Sequence, residues 1–108
     1  MYSRQAKTDT AGYAKAAQVA TVNGSLATLR VHNNGAATVY LQFHEAVAAP
    51  NDGAVPAAAP IPLPAGTYFE SDTPFDFRSG FYVCASSTAA TKTLIATNDV
   101  RITAEYRY

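Results

Sequence analysis

The stretch Leu29-Arg-Val-His-Asn-Asn-Gly-Ala-Ala-Thr-Val-Tyr-Leu-Gln-Phe-His-Glu45 is the most informative part of this sequence for the fold. Apolar and polar residues alternate on both sides of Asn34–Gly35, and a period of two is typical of half-buried strands. Because Asn-Gly favours a tight turn, the pattern predicts a β-hairpin. Placing Val31 opposite Val39 keeps apolar residues on one face. We therefore expect a three- or five-residue loop, or a bulge in which Gly35 is left-handed.

The rest of the chain predicts about six or seven short strands and no helix with an apolar face. The clearest strand is the last one, where polarity alternates from Val100 to Tyr108. Turn signals recur at roughly the spacing of 8–12 residues that is typical of sandwiches and barrels. The other strand candidates are Val19–Val22, Thr67–Ser71, the segment with Phe75 and Phe77, Phe81–Ser87 and Thr93–Ala96. The sequence thus predicts an all-β fold, a small antiparallel β-sandwich or a jelly-roll-like barrel.

Two segments stand apart from this pattern within a single domain of 108 residues. Residues 1–18 show neither the helical nor the strand period, so they predict an extended N-terminal arm on a β-domain at residues 19–108. Residues 46–66 hold five of the six prolines, and proline cannot donate a ladder hydrogen bond in a central strand. We interpret residues 46–66 as a rigid strap with Val55, Ile61 and Leu63 packed on the sheet, because a linker would have no second domain to serve.

Charge and composition disfavour several classes of partner. The chain has 8 basic and 8 acidic residues, and they are scattered, so we expect neither nucleic acid nor a membrane as a partner. No apolar run approaches the roughly 18 residues of a membrane span, and none resembles a signal peptide, so synthesis in a cytoplasm is expected. With charged residues at 15%, the sparsely charged surface suits a subunit of an assembly.

No motif predicts catalysis, so we expect a non-enzymatic protein without a cofactor or a metal. His32 and His44 lack a third ligand and are interpreted as surface histidines. The single cysteine, Cys84, lies in a strand without a nearby base and is interpreted as a buried, inert thiol. Three aspartates stand beside turn-forming residues, where a carboxylate bonds its own backbone: Asp52, Asp72 and Asp76.

The seven tyrosines are the strongest signal for binding. Tyrosine combines an apolar ring with a polar tip and is enriched at interfaces. Stacking of some tyrosines on a sugar is an alternative, which the absence of tryptophan disfavours. The predicted interface combines the arm, the strap and the last strand, through Tyr2, Tyr13, Pro60, Ile61, Pro62, Leu63, Pro64, Tyr106 and Tyr108.

Several phrases of the sequence resemble small virion-associated structural proteins of tailed bacteriophages. The resemblance covers about Leu26 to Tyr108, omits the arm and includes no catalytic residue. Its phrases are Val31-His-Asn-Asn-Gly, Val39-Tyr-Leu-Gln-Phe-His-Glu-Ala, Ala49-Pro-Asn-Asp-Gly-Ala-Val-Pro, Ser79-Gly-Phe-Tyr-Val-Cys-Ala-Ser-Ser-Thr and Thr91-Lys-Thr.

This resemblance implies a structural protein of the phage virion, made in the host cytoplasm, that decorates the capsid or associates with the head. Its partners would be other virion proteins, either the major capsid protein or neighbouring subunits, and a homo-oligomer is expected. Two alternatives stay open, a tail-associated position and a receptor- or carbohydrate-binding module. In the second alternative the loops around Asn51–Asp52 and Ser86–Thr93 would hold a glycan. The sequence does not decide whether the arm is exchanged between subunits.

Overall fold

The computed structural model describes residues 3–108, which form two antiparallel sheets packed as a sandwich. Sheet A has the strand order β1-β9-β3-β6, with β7 paired to the other end of β3, and sheet B has the order β2-β8-β4-β5. The predicted all-β sandwich is confirmed. Within residues 3–108 there is no helix that could span a membrane. The strands are β1 (Gln5–Asp9), β2 (Ala16–Ala20), β3 (Gly24–Asn33), β4 (Val39–His44), β5 (Ile61–Leu63), β6 (Tyr68–Ser71), β7 (Phe75–Phe77), β8 (Phe81–Ser86) and β9 (Val100–Arg107).

One apolar core lies between the sheets. Its aromatic centre is Phe81 of β8, which stacks on Phe77 with ring centroids 5.0 Å apart and an interplanar angle of 5°. Phe43 of β4 packs edge-on against Phe81, with centroids 5.3 Å apart. Phe77 is buried, whereas Phe75 is half-buried and packs against the core. Burial of these rings supplies much of the hydrophobic stabilisation of a domain this small.

The predicted hairpin is wrong, because β3 lies in sheet A and β4 in sheet B. The segment after Asn33 carries the chain from one sheet to the other. The side-chain amide of Asn33, which is fully buried, donates to the carbonyl oxygens of Ala37 at 2.9 Å and Leu63 at 3.0 Å. Its Oδ1 accepts from the Gly35 N–H at 2.9 Å, and Gly35 does not have a positive φ. A buried asparagine thus shapes the crossing, where the sequence predicted a tight turn.

The alternating pattern of the two strands is satisfied without pairing between them. Leu29 and Val31 of β3 and Val39 and Leu41 of β4 are all buried in the same core, which they enter from opposite sheets. Alternation reports which face of a strand is buried and does not report which strand lies beside it. A hairpin and a crossing therefore give the same apolar pattern.

The described part of the predicted N-terminal arm, residues 3–18, contributes strand β1 and the start of β2 to the sandwich and is not a separate extension. Strand β1 pairs with β9, from Gln5 opposite Arg107 to Asp9 opposite Thr103, and β2 pairs with β8. Between β1 and β2 the chain bends at Ala11, which has a φ of 59°. Strand β1 lies at a sheet edge, and its residues are all small or polar. Its sequence therefore shows no alternation of apolar and polar residues.

The strap, residues 46–66, lies at the edge of sheet B and in a loop over its outer face. Strand β5 pairs with β4 so that Pro62 lies opposite Tyr40, in an edge position where a missing N–H is tolerated. Leu63 is buried and Ile61 is half-buried, as predicted. Val55 is 75% exposed, so the prediction that it packs on the sheet is wrong. It lies in the irregular part of the strap, where no strand holds it against β4.

Two other strand predictions need adjustment. Strand β2 spans Ala16–Ala20 and thus begins before the predicted Val19–Val22. The predicted strand Thr93–Ala96 reduces to a single bridge between Ser86 and Leu94. The last strand agrees with its pattern, since Val100, Ile102 and Ala104 are fully buried.

Candidate binding surface

The outer face of sheet B carries a polar cluster that is buried rather than solvated. It lies beneath two loops, residues 46–60 and 87–95, that fold back over the sheet. The side-chain amide of Gln42 donates to the carbonyl oxygens of Thr88, Ala89 and Thr91, at 3.0 to 3.1 Å, and so holds the second loop down. Every buried side-chain nitrogen and oxygen within residues 3–108 has a hydrogen-bond partner. The buried members of the cluster are Gln42, His44, Cys84, Ser86 and Lys92.

Lys92 joins the two loops to each other. Its side chain is 6% exposed, and its ammonium group donates to the carbonyl oxygen of Pro50 and lies 4.0 Å from Oδ1 of Asp52. Its backbone N–H donates to the carbonyl of Ala54 at 2.8 Å, and its carbonyl accepts from the N–H of Gly53 at 2.7 Å. Lys92 therefore fastens the irregular part of the strap to the loop at residues 87–95. Local sequence gives no sign of this role of Lys92, because its partners are about forty positions away in the chain.

Burial shifts the pKa values of two side chains of this cluster, Cys84 and His44. Burial raises the pKa of the Cys84 thiol to about 11, and the nearby Lys92 charge offsets this only in part, so the thiol stays protonated at neutral pH. The predicted burial of Cys84 is thus confirmed. Burial, and secondarily the charge of Lys92, lowers the pKa of His44, whose Nε2 lies 3.1 Å from Oε1 of Gln42. The prediction that His44 lies at the surface is wrong, because the loops cover it.

The lowered pKa of His44 predicts a pH-dependent stability. Below the ordinary histidine pKa of about 6.5, His44 binds a proton in the unfolded chain but stays neutral in the folded chain until the pH falls to its lower folded-state pKa. This contribution to the free energy of unfolding is therefore complete above about pH 6.5 and is lost as the pH falls toward the lower pKa of the folded state. We expect the urea midpoint to decrease between pH 7.5 and pH 5.5 by less in His44→Gln than in the wild type. Equal decreases would contradict this role of His44.

A second feature, an exposed aromatic cluster, lies on the outer face of sheet A. His32 of β3 and Tyr68 of β6 are directly opposite each other, and their rings stack with centroids 4.1 Å apart at an angle of 8°. The Tyr13 hydroxyl lies 2.8 Å from Nδ1 of His32. His32 is half-buried between its neighbours, whereas Tyr68 is 73% exposed. The ring face of Tyr68 that points away from His32 is therefore available to a ligand.

A hollow of about 170 Å³ adjoins this cluster. Nε of Arg30 lies 3.9 Å from Oε1 of Glu70 across the strand pair. The Arg101 guanidinium lies 3.2 Å from Oδ2 of Asp9, and its hydrogen bond lowers the pKa of that carboxyl. Each arginine thus faces one carboxylate, and the hollow offers both donors and acceptors. Its lining residues are Arg30, Val31, His32, Tyr68, Glu70, Arg101 and Thr103.

The predicted interface residues do not form one patch. Tyr13 belongs to the aromatic cluster on sheet A. The predicted residues Pro60, Ile61, Pro62, Leu63 and Pro64 lie at the opposite sheet, along its β5 edge. Tyr106 and Tyr108 pack against each other at the end of β9, with centroids 5.7 Å apart. Tyr2 lies outside the described residues. Within the part of the chain that the structure describes, no three histidine, cysteine or carboxylate side chains form a group that could hold a metal.

Comparison with protein-family models gives no match, and comparison with curated proteins gives none. Among solved structures, the chain is similar to the Tobacco streak virus coat protein, with a TM-score of 0.41 and 8% sequence identity. The alignment covers 96% of this chain and 86% of that one. A similarity this distant does not establish a common function.

Proposed function

We propose that this protein is a non-enzymatic structural component of a virus particle. More specifically, it would decorate the capsid of a tailed bacteriophage or associate with its head, docking on the major capsid protein or on neighbouring copies of itself. The observation that carries this proposal is a fastened strap that presents apolar side chains to solvent. The choice of particle is supported by the resemblance of the sequence to virion-associated phage proteins.

The strap has the physical properties of a docking element. Val47 is 57% exposed and Val55 is 75% exposed, although both belong to a segment that is tied to the domain. The carbonyl of Val47 accepts from the Gln18 side chain at 2.8 Å, and the Ala57 N–H donates to the Phe43 carbonyl at 2.8 Å. Burying such side chains contributes about 25 cal/mol per Å² of apolar surface. A segment that is already ordered loses little conformational entropy on binding.

Docking fits the chemistry of the described residues better than catalysis does. The thiol, imidazole and ammonium groups that come together on sheet B are buried under loops, and the imidazole and the ammonium group have hydrogen-bond partners within the protein. The two loops that could have held a glycan, around Asn51–Asp52 and Ser86–Thr93, are bonded to each other and to sheet B. The side chain of Asp52, for example, accepts from the Leu94 N–H at 3.2 Å. These contacts do not favour the glycan-binding alternative at this position.

Immunogold labelling of virus particles tests the proposal directly. Antibodies raised against the purified protein would be applied to particles purified from a lysate in which this chain is produced. We expect regular labelling over the heads. Labelling of the tails alone would contradict the head assignment and support a tail position. Absence of label from both intact and disrupted particles, when the protein is detected in the lysate, would overturn a virion role.

The role of the strap is tested by a matched pair of valine variants. We expect Val55→Asp to reduce capture of the purified protein by particles that lack it at least about tenfold, because the aspartate would have to be desolvated in the contact. Val22→Asp is the control, since Val22 is also exposed, at 44%, but lies outside the strap. Equal capture of Val55→Asp and wild type would show that the strap is not the docking element.

A further inference from the structure

Sheet A exposes an aromatic ring at a position where a polar side chain would be solvated more readily. Tyr68 is 73% exposed, yet its ring orientation is fixed by parallel stacking on His32 at 4.1 Å. His32 is fixed in turn by the Tyr13 hydroxyl at 2.8 Å. Two side chains thus support a third, Tyr68, that remains largely exposed to solvent. We propose that the hollow beside Tyr68 binds one pyranose ring of a neutral saccharide.

The shape of the hollow favours a single ring. Its volume of about 170 Å³ is smaller than the roughly 300–1,000 Å³ of pockets for drug-sized ligands. One wall is the flat pair of Tyr68 and His32, which suits the C–H face of a sugar ring because an aromatic face is apolar and carries partial negative charge. The pair of Arg30 and Glu70 borders the hollow next to these rings, two residues away along β3 and β6 on the same face of the sheet.

The polar groups favour a neutral ligand with many hydroxyls. A sugar hydroxyl both donates and accepts, so it can bridge a carboxylate and a guanidinium as a water molecule does. Glu70 supplies the acceptor, and Arg30 and Thr103 supply donors around the same hollow. A phosphate is disfavoured, because each arginine of the hollow already faces a carboxylate, Arg30 that of Glu70 and Arg101 that of Asp9. The pattern of an apolar ring face bordered by alternating donors and acceptors matches a pyranose.

Saccharide binding in the hollow is compatible with docking of the protein through the strap. The hollow is on the outer face of sheet A, whereas the strap covers the outer face of sheet B, so the two surfaces point in opposite directions. A copy docked through the strap would still present the hollow to solvent. The saccharide site also differs from the loops that the sequence suggested for a glycan, which belong to the sheet B side.

Amide chemical-shift titrations test the proposal with simple probes. The uniformly labelled protein would be titrated with methyl β-D-glucopyranoside, methyl β-D-galactopyranoside and N-acetylglucosamine, each in separate experiments. Sorbitol has the same hydroxyl chemistry without a ring face and serves as the ligand control. We expect at least one pyranoside to cause saturable shifts centred on His32, Tyr68 and Glu70. Tyr68→Ala should weaken this binding at least about tenfold, while Tyr108→Ala should leave it unchanged.

The Tyr68→Ala and Glu70→Gln variants separate loss of binding from loss of folding. Tyr68 is mostly exposed and outside the core, so Tyr68→Ala is expected to retain the spectrum of a folded protein away from the cluster. Weakening of the pyranoside by Glu70→Gln would add support for the acceptor role. The proposal would be overturned if no pyranoside gave saturable shifts, if sorbitol gave equal ones, or if binding survived Tyr68→Ala. Saturable shifts at the same residues with inorganic phosphate alone would overturn it as well.

Discussion

Replacing Lys92 with alanine is expected to release the loops over sheet B and to make Cys84 reactive. The variant removes the ammonium group that bonds the Pro50 carbonyl and leaves a space among buried groups. Losing that contact and the packing of the lysine stem should lower the free energy of unfolding by about 2 kcal/mol. The larger effect is local, because the loop at residues 46–60 would open far more often than the rest of the domain.

The rate of thiol labelling measures this opening. In the wild type Cys84 is fully buried and its pKa is raised to about 11, so an aromatic disulfide reagent at pH 8 should react slowly. In Lys92→Ala we expect the rate to rise at least about tenfold under native conditions. Lys7→Ala is the matched control, since Lys7 is an exposed lysine on β1. Similar labelling rates in Lys92→Ala and wild type would show that the loops do not depend on this lysine.

A methionine at the same position separates packing from hydrogen bonding. Lys92→Met keeps most of the buried stem but cannot donate to the Pro50 carbonyl. Replacing a buried charge with an apolar group of similar length also removes the cost of desolvating that charge. We therefore expect a labelling rate between those of the wild type and Lys92→Ala. A rate in Lys92→Met equal to that of Lys92→Ala would assign the whole effect to the hydrogen bond.

The parts of the fold that were predictable from the sequence are those set by local patterns. Alternation along β9 correctly predicted that Val100, Ile102 and Ala104 are buried. The prolines of the strap correctly predicted that this segment is not a central strand, since β5 lies at an edge. Both predictions depend only on the period of a strand and on the missing N–H of proline. Neither requires knowledge of which strands are neighbours.

The candidate sites were not predictable, because they depend on pairing over long distances in the chain. In the sequence Tyr68 is one of seven tyrosines, and its stacking on His32 follows from the register of β6 on β3. In the sequence Lys92 is one of eight scattered basic residues. It is buried because its ammonium group binds the carbonyl of Pro50, 42 positions away. Strand β1 has small and polar residues and no apolar face, and what identifies it as a strand is its pairing with β9 near the other end of the chain. Local sequence carries no signal for such partners.

The crossing between the sheets gives the second prediction of a large effect, Asn33→Ala. The side chain of Asn33 makes three hydrogen bonds, to the carbonyls of Ala37 and Leu63 and from the N–H of Gly35, all at 2.9 to 3.0 Å. In Asn33→Ala the carbonyls of Ala37 and Leu63 and the N–H of Gly35 lose this hydrogen-bond partner. At about 1 kcal/mol for each bond, we expect a loss of about 3 kcal/mol in the free energy of unfolding.

Thermal unfolding followed by circular dichroism measures this loss, which should lower the melting temperature by more than about 10 °C. The matched control is the next residue, Asn34→Ala. The Asn34 side chain is exposed, and its backbone N–H, which donates to the Asp99 carbonyl at 2.8 Å, is retained in alanine. A hairpin with Asn34–Gly35 as its turn would show the reverse order, because Asn34 would then supply the turn conformation. Greater destabilisation by Asn34→Ala than by Asn33→Ala would therefore restore the hairpin and contradict a crossing held by Asn33.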